Sequence, residues 1–156
     1  MFKYLQIETT TYCNAVCWFC PNKDLPSINR MSDEMLYGIV DSTRGLNVVY
    51  RPVGLGEPFG DARMPKLCKY IKEDPTAIVE IHTNGELLTP KVAEKVIDYV
   101  DVIRFSIDGF KKETFDESRG INFETTCANA KSFLENAPDV DVQVRMINLP
   151  DTEDEQ

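Results

Sequence analysis

Apolar residues recur along this chain at two spacings, one typical of buried β-strands and the other typical of amphipathic helices. Five short runs rich in β-branched and aromatic residues predict strands, and stretches of helical periodicity separate them. The predicted strands cover residues 5–9, 47–53, 77–82, 102–107 and 140–147. Because strands and helices alternate five times, the pattern predicts an α/β fold of parallel strands with helices packed outside, open or partly closed like a barrel.

Helix start signals precede the apolar stripes. Ser32 is predicted to cap the first helix and Asp61 the second, Thr89 and Pro90 begin the third, and a longer helix starts at about Asn122. The side chains expected to face the core are Met35, Leu36, Ile39, Val40, Met64, Leu67, Cys68, Ile71, Val92, Val96, Tyr99, Val100, Phe123, Cys127, Ala130, Leu134 and Ala137. Their spacing gives each of these helices one apolar face toward the sheet.

Composition and charge restrict the class of protein. With 42% hydrophobic and 28% charged residues, a chain of 156 residues is typical of one globular domain with its own core. Acidic residues outnumber basic ones, 26 to 17, and the net charge of −9 argues against a nucleic-acid partner. The chain has no apolar run near the roughly 20 residues of a membrane span, and it does not start with a signal peptide. We therefore expect a cytoplasmic protein with no membrane partner, with a core domain over residues 1–150 and an acidic tail over residues 151–156.

Three of the five cysteines, Cys13, Cys17 and Cys20, crowd one loop after the first predicted strand. Their spacing is C-x3-C-x2-C, and Phe19 directly precedes the last cysteine. Three thiolates on a short loop can face a single point, and a [4Fe–4S] cluster bound by three cysteines keeps one iron open for a ligand that is not protein. Zinc loops and disulfide frameworks also use closely spaced cysteines, although zinc usually takes four ligands. An odd number of cysteines, concentrated on one loop, favours reduced thiols that hold a metal.

Three further loops follow predicted strands, at the edge of a parallel sheet where ligand-binding sites form. They contain Gly56-Glu57-Pro58, Thr83-Asn84-Gly85 and Ser106-Ile107-Asp108-Gly109. The first is also explained as a plain turn with a solvated glutamate, and the second as a plain turn. The single histidine, His82, is expected to be packed in its strand, and the two remaining cysteines, on apolar helix stripes, are expected to be buried and inert.

The four loops, taken in their order along the chain, resemble the motifs of the radical S-adenosylmethionine (radical SAM) enzymes. The resemblance covers residues 6–147. Arg119-Gly120 and Asn122-Phe123-Glu124 are similar to the pattern of the branch that modifies peptides and small molecules, which usually continues into a C-terminal domain with extra clusters.

The resemblance implies two cofactors, a [4Fe–4S] cluster on the three cysteines and SAM at its open iron. The implied SAM contacts are Phe19, Gly56, Glu57, Pro58, Thr83, Asn84, Ser106, Asp108 and Arg119. In the family, the backbone at the Phe19 position meets the adenine, the Gly-Glu-Pro motif receives the methionine amino group, and the groups at Ser106 and Arg119 hold the carboxylate. Polar groups at the end of the fourth strand, where Asp108 lies, meet the ribose. A guanidinium suits a carboxylate because its fork donates two parallel hydrogen bonds.

The resemblance also implies a reaction. One electron enters the cluster, and SAM is cleaved into methionine and a 5′-deoxyadenosyl radical, which abstracts hydrogen from a peptide or a small-molecule substrate. The implied partner is an electron donor such as a flavodoxin or a ferredoxin. No catalytic side chain is identified. The rival hypothesis is a non-catalytic iron–sulfur or zinc module, or a fragment, that needs a partner chain or a missing C-terminal region.

Two features depart from the family pattern. The sequence predicts five βα units, whereas the family core has six, and it contains no C-terminal cysteine-rich domain. We therefore expect an incomplete core, either a short natural form or a fragment, whose turnover is in doubt. A missing strand leaves an exposed sheet edge, which favours association.

Overall fold

A computed structural model describes residues 3–148, and five parallel strands form a single sheet in it. The strands are β1 (Lys3–Gln6), β2 (Val48–Arg51), β3 (Ile78–Thr83), β4 (Val102–Ser106) and β5 (Asp141–Arg145). Their order in the sheet follows the chain, and each neighbouring pair is parallel. The predicted α/β class is confirmed, and the described sheet is not closed because β1 and β5 are its two edges. Four strands are shorter than predicted, β3 has the predicted length but starts one residue later, and β1 starts two residues earlier than predicted. One backbone hydrogen bond, from Ile7 N–H to the Arg51 carbonyl (2.9 Å), continues the pairing of β1 with β2.

Helices connect consecutive strands. They are α1 (Asp33–Thr43), α2 (Met64–Ile71), α3 (Pro90–Ala93), α4 (Lys112–Arg119) and α5 (Phe123–Asn136), and 3-10 turns occupy Pro21–Asp24, Pro58–Gly60 and Ile97–Tyr99. Because all neighbouring strands are parallel, the loop after each strand lies at the same edge of the sheet. In the described part of the chain, no helix is long and apolar enough to cross a membrane.

The helix starts depend on local sequence, and the predicted Ser32 cap is confirmed. The Ser32 hydroxyl accepts a hydrogen bond from Met35 N–H (3.2 Å), and the Asn122 side chain accepts one from Thr125 N–H (2.7 Å). The prediction for Asp61 is wrong, because its carboxylate binds the backbone N–H and guanidinium of Arg63 before α2 begins. Asp61 therefore closes the preceding turn instead of capping α2.

One hydrophobic core lies between the helices and one face of the sheet. It is built from side chains of β1 to β4 and of α1, α2, α3 and α5. The core prediction is wrong for two residues, Met35 and Leu134, which are each 58% exposed. On α5 the buried face instead carries Thr126, Asn129 and Phe133. The helix is turned this way because the Asn129 amide donates to the carbonyls of residues 85 and 86, at 3.0 and 2.9 Å.

The opposite face of the sheet is polar toward the ends of the strands. We call it the inner face, and it carries Arg51, Glu80, His82, Arg104 and Arg145. Strand residues point alternately to the two faces, so the buried neighbours of these side chains belong to the core. The inner face is therefore the side of the sheet that is open to a ligand.

Candidate active site at the carboxyl edge of the sheet

The loop after β1 carries the three clustered cysteines and is fixed to the end of α4. Backbone N–H groups of Val16 and Trp18 donate to the carbonyls of Arg119 (2.9 Å) and Ser118 (3.2 Å). Cys13, Cys17 and Cys20 belong to one apolar cluster. It also contains Ala15 and Phe19 of the same loop, Phe115 of α4 and Ile121 of the loop after α4. All three thiols are free. The structure therefore brings together the three predicted metal ligands in a largely apolar setting.

Burial controls the chemistry of these thiols. It raises the pKa of Cys13 to about 11 and also raises the pKa of Cys17, where the guanidinium of Arg119 opposes the shift. Negative charge at the neighbouring cysteines adds to the upward pKa shift of Cys13 and Cys17. Thiolate sulfur is the donor that iron–sulfur clusters take, and the residues present fit such a cluster.

A single metal ion is a different case. Among residues 3–148, no group of three or more His, Cys, Asp or Glu side chains converges closely enough to hold one ion. The two cysteines outside the loop lie elsewhere in the fold. Cys68 is fully buried in the core, which raises its pKa to about 12, and Cys127 is half-buried on α5. Their placement agrees with packed thiols.

Glu57 joins two of the predicted loops. One carboxylate oxygen accepts from the Thr83 hydroxyl (2.6 Å) and from Phe59 N–H (3.2 Å), and the other accepts from Asn84 N–H (2.8 Å). Complete burial raises the pKa of Glu57, and the three donors oppose that shift. The carboxylate of the Gly-Glu-Pro motif is therefore engaged within the protein and locks the loop after β2 to the loop after β3.

Gly56 lets the loop after β2 approach the cysteine loop. A Cβ at this position would lie 2.1 Å from the Thr10 carbonyl oxygen, closer than any real contact. Next to it, Glu57 N–H donates to the Tyr12 carbonyl at 2.7 Å, and Pro58 is buried. The glycine is required here for close approach of two backbones.

A relay of side-chain amides connects the loop after β3 with the cysteines. The Asn84 amide nitrogen donates to Asn14 Oδ1 (2.9 Å) and lies 3.9 Å from the sulfur of Cys13. The Asn14 amide nitrogen donates to one oxygen of Glu86 (2.7 Å), whose other oxygen accepts from Asn122 N–H (2.7 Å). Asn14 and Glu86 were not among the predicted site residues. Their position inside the C-x3-C spacing and just after the Thr-Asn-Gly motif is the signal that points to them.

Asp108 and Arg119, two of the predicted SAM contacts, bind each other. Asp108 is completely buried, and its Oδ2 accepts from Arg119 Nε at 2.7 Å and lies 2.5 Å from Nη2. Its Oδ1 accepts from Ile147 N–H at 2.8 Å. The Arg119 guanidinium also lies over the ring of Phe19, 5.5 Å from its centre. Ser106 ends β4 and is half-buried, on the face opposite to the buried Phe105.

The structure thus joins the predicted residues into two groups, one on each side of the cysteine loop. Glu57, Thr83 and Asn84 form the first group, and Asp108 and Arg119 form the second. The proximity of these groups follows from the fold, whereas the ligand atom that each would contact stays a prediction.

Comparison with known proteins identifies the family. The sequence model of the radical SAM superfamily matches residues 7–156. An AdoMet-dependent heme synthase of Methanosarcina barkeri is 30% identical over 78% of this chain and 36% of its own length. A probable GTP 3′,8-cyclase of Methanococcus maripaludis is 26% identical over 92% of this chain and 48% of its own length. The chain therefore spans between about a third and a half of these curated relatives.

Solved structures share the fold. Native anSMEcpe with bound AdoMet superimposes with a TM-score of 0.74 at 22% identity, covering 92% of this chain and 43% of that one. Streptococcus suis SuiB bound to S-adenosylmethionine gives a TM-score of 0.76 at 19% identity, covering 99% of this chain and 36% of that one. The predicted cofactors, a [4Fe–4S] cluster and SAM, agree with those that the family uses.

Proposed function

We propose, since this chain belongs to the radical SAM superfamily, that it is an enzyme that binds a [4Fe–4S] cluster and SAM and starts a hydrogen abstraction from a substrate. The observation that carries the proposal is the shared apolar cluster of Cys13, Cys17 and Cys20 at the carboxyl edge of a parallel sheet. Three free thiols in that position supply three ligands, so one iron of a bound cluster stays open.

When bound, the cluster and SAM supply the radical chemistry, namely one-electron cleavage of SAM to methionine and a 5′-deoxyadenosyl radical. The protein's own part is to bind, to orient and to exclude water. Apolar side chains of α4 and the loop after it, such as Phe115 and Ile121, cover the cysteines from solvent. Glu57 joins the loop after β2 to the loop after β3, and Asp108 joins the loop after β4 to Arg119 at the end of α4.

The remaining SAM contacts belong to the same proposal. The Cys17 sulfur contacts the Arg119 carbonyl at 3.8 Å, and the Arg119 guanidinium lies over the ring of Phe19, so we assign the carboxylate site to the part of the fold next to the cysteine loop. Ser106 lies on the inner face, where a ligand can reach it. The Gly56 to Pro58 backbone lies against the cysteine loop, and we assign the amino-group site to it.

Substrate and partners are further parts of the proposal, because the chain spans only part of its relatives. We propose a peptide or small-molecule substrate, a flavodoxin or ferredoxin as electron donor, no nucleic-acid partner, and a cytoplasmic location. In the sheet formed by residues 3–148, β1 and β5 each have a neighbouring strand on one side only, and we propose these edges for association with another chain or segment.

The test is electron paramagnetic resonance at low temperature. The protein is reconstituted anaerobically with iron and sulfide and reduced with dithionite, with and without SAM. The expected result is a reduced [4Fe–4S] signal whose shape changes when SAM is added. The Cys17→Ala variant is expected to lose this signal, and the Cys127→Ala variant, which removes a thiol outside the loop, is expected to retain it.

Three other outcomes would contradict the proposed enzyme. A cluster whose signal ignores SAM would favour the non-catalytic iron–sulfur module. Stoichiometric zinc without iron would favour the zinc module. Equal iron content in the Cys17→Ala variant would show that the loop is not the ligand set.

A further inference from the structure

Three arginines, one each from β2, β4 and β5, share the inner face of the sheet. Arg51 ends β2, Arg104 lies in β4, and Arg145 ends β5. Register places Arg104 beside His82 of β3 on one side and beside Gln143 of β5 on the other. Parallel sheets usually bury both faces among apolar side chains, so a polar face with several guanidiniums needs an explanation.

One buried carboxylate serves two of these arginines. Glu80 is 4% exposed, and it accepts from Arg51 Nη2 at 3.1 Å and pairs with Arg104. His82 Nε2 lies 2.8 Å from the same carboxylate. Arg104 also donates from Nε to Gln143 Oε1 at 2.8 Å. The single negative charge of Glu80 therefore balances only one of the two guanidinium charges that it contacts.

Asp141 is the other acidic residue that the five described strands place on the inner face, and it lies at the opposite end of its strand from the carboxyl edge of the sheet. Asp141 begins β5, where register pairs it with Val102, and it accepts from Gln143 Nε2 at 2.6 Å. Beyond β1, the Glu8 side chain is bound by Leu55 N–H at 2.5 Å. At the carboxyl end, Arg145 is exposed and is paired in register with Ser106. The described strands thus place an excess of positive charge on the inner face of a chain whose net charge is −9.

The electrostatic state of His82 supports this distribution. Burial lowers its pKa, and the positive charges of Arg145 and Arg51 add to that shift although a carboxylate lies beside the ring. Burial and the same two arginines also lower the pKa of Arg104. A local field that opposes further positive charge favours the binding of an anion.

We propose that Arg104 and Arg145 bind an anionic group of the substrate, a phosphate or a carboxylate, on the inner face of the sheet. The assignment of this anion to the substrate rests on the proposed function. Ser106, one of the predicted SAM contacts, follows Arg104 by two residues and therefore points to the same face. The proposed anion site therefore shares the inner face with the predicted Ser106 contact. Guanidiniums suit it because their planar fork matches the oxygens of both groups.

Isothermal titration calorimetry tests the proposal on the full chain without cofactors, using pyrophosphate and citrate as separate probes. We expect saturable binding of at least one probe, in spite of the overall negative charge. Tighter pyrophosphate binding assigns a phosphorylated substrate, and tighter citrate binding assigns a polycarboxylate.

Three variants make the test specific. Arg145→Gln should weaken binding by about tenfold or more, as expected when one charge-assisted contact is lost. Glu80→Gln should tighten binding, because it removes the carboxylate that competes for the guanidiniums. Lys131→Gln makes the same charge change on the outer surface of α5, where the side chain is 77% exposed, and should leave binding unchanged.

Several outcomes would overturn the proposal. No binding of either probe, or equal weakening by Lys131→Gln, would show that the inner face is not an anion site. Displacement of the bound probe by SAM in the reconstituted protein would assign the arginines to the cofactor's carboxylate instead of the substrate. Since the first titration needs no cluster, a failure of cluster assembly would overturn the proposed function without affecting the anion measurement.

Discussion

Asp108 and Arg119 lie in the loop after β4 and at the end of α4, and their side chains form an ion pair that excludes solvent. The Arg119 Nε donates to Asp108 Oδ2 at 2.7 Å, and the Arg119 carbonyl receives Val16 N–H from the cysteine loop at 2.9 Å. Asp108 also binds Ile147 N–H after β5. The pair therefore ties the cysteine loop to two strands, and the site's stability depends on it.

Replacing Asp108 with Asn should destabilise the fold strongly. Breaking a buried pair leaves the Arg119 guanidinium uncompensated, which costs about 3–5 kcal/mol. Urea unfolding monitored by circular dichroism measures the loss, and iron content after reconstitution should fall with it. The control is Glu117→Gln, an exposed change on the same helix, which should have little effect. Equal midpoints for the two variants would contradict a structural role for the pair.

Thr83→Val should also destabilise the protein, without a change in side-chain shape. The hydroxyl donates to Glu57 at 2.6 Å and accepts from Gly85 N–H at 2.9 Å, and the valine makes neither bond. Leaving a buried carboxylate short of a donor costs about 1–3 kcal/mol. Thr125→Val, at an exposed position of α5, is the matched control for the same measurement. If both variants unfold at the same urea concentration, the Glu57 contact contributes no net stability.

Two glycine substitutions should have opposite effects. Gly120 has φ +66°, and a Cβ there would meet Val16 Cγ2 at 2.2 Å. Gly120→Ala should cost about 1–2 kcal/mol for the left-handed backbone, with the clash added to it. Gly38 lies in α1 with no atom within 4 Å of a Cβ, so Gly38→Ala should stabilise by about 0.5–1 kcal/mol. Thermal unfolding distinguishes them, and stabilisation by Gly120→Ala would contradict the described loop contact.

Glu86→Ala should loosen the cysteine loop. The substitution removes the acceptor of the Asn14 side chain and of Asn122 N–H, each at 2.7 Å. We expect faster hydrogen–deuterium exchange over residues 13–20, measured by mass spectrometry on the protein without cofactors. Glu94→Ala, an exposed change on the other side of the core, should leave that segment unchanged. Unchanged exchange in both variants would mean that the amide relay does not restrain the loop.

Acid stability should depend partly on Asp74. Hydrogen bonds from Gly45 N–H (2.6 Å) and from Thr76 hold the pKa of its carboxyl below the ordinary value. Its stabilising contribution is therefore present above the unfolded pKa of about 3.9 and is lost as pH falls through the lower folded pKa. Asp74→Asn should make the decline in urea midpoint below about pH 4 shallower.

Asp98→Asn is the control for that pH series, because Asp98 is an exposed acid in the 3-10 turn before β4. Its decline with pH should match that of the unsubstituted protein. A decline for Asp74→Asn that also matches would show that this carboxyl does not contribute to acid sensitivity.

The amino-acid sequence by itself determined the parts of this protein that depend on local signals. Hydrophobic periodicity located the five strands, because the pattern of buried residues in a strand involves positions that are adjacent in the sequence. Ser32 was identifiable as a cap because the bond it makes is to a backbone group three residues away. The three cysteines were identifiable as one site because they lie within eight residues of each other.

Only the tertiary structure decided how those parts meet. The buried face of α5 follows from a contact between Asn129 and the loop after β3, which is more than 40 residues away and outweighs the apolar stripe. The pairing of Asp108 with Arg119 and the relay through Glu86 also join distant segments. A polar side chain is buried only when a partner reaches it, and the fold alone determines which partner does.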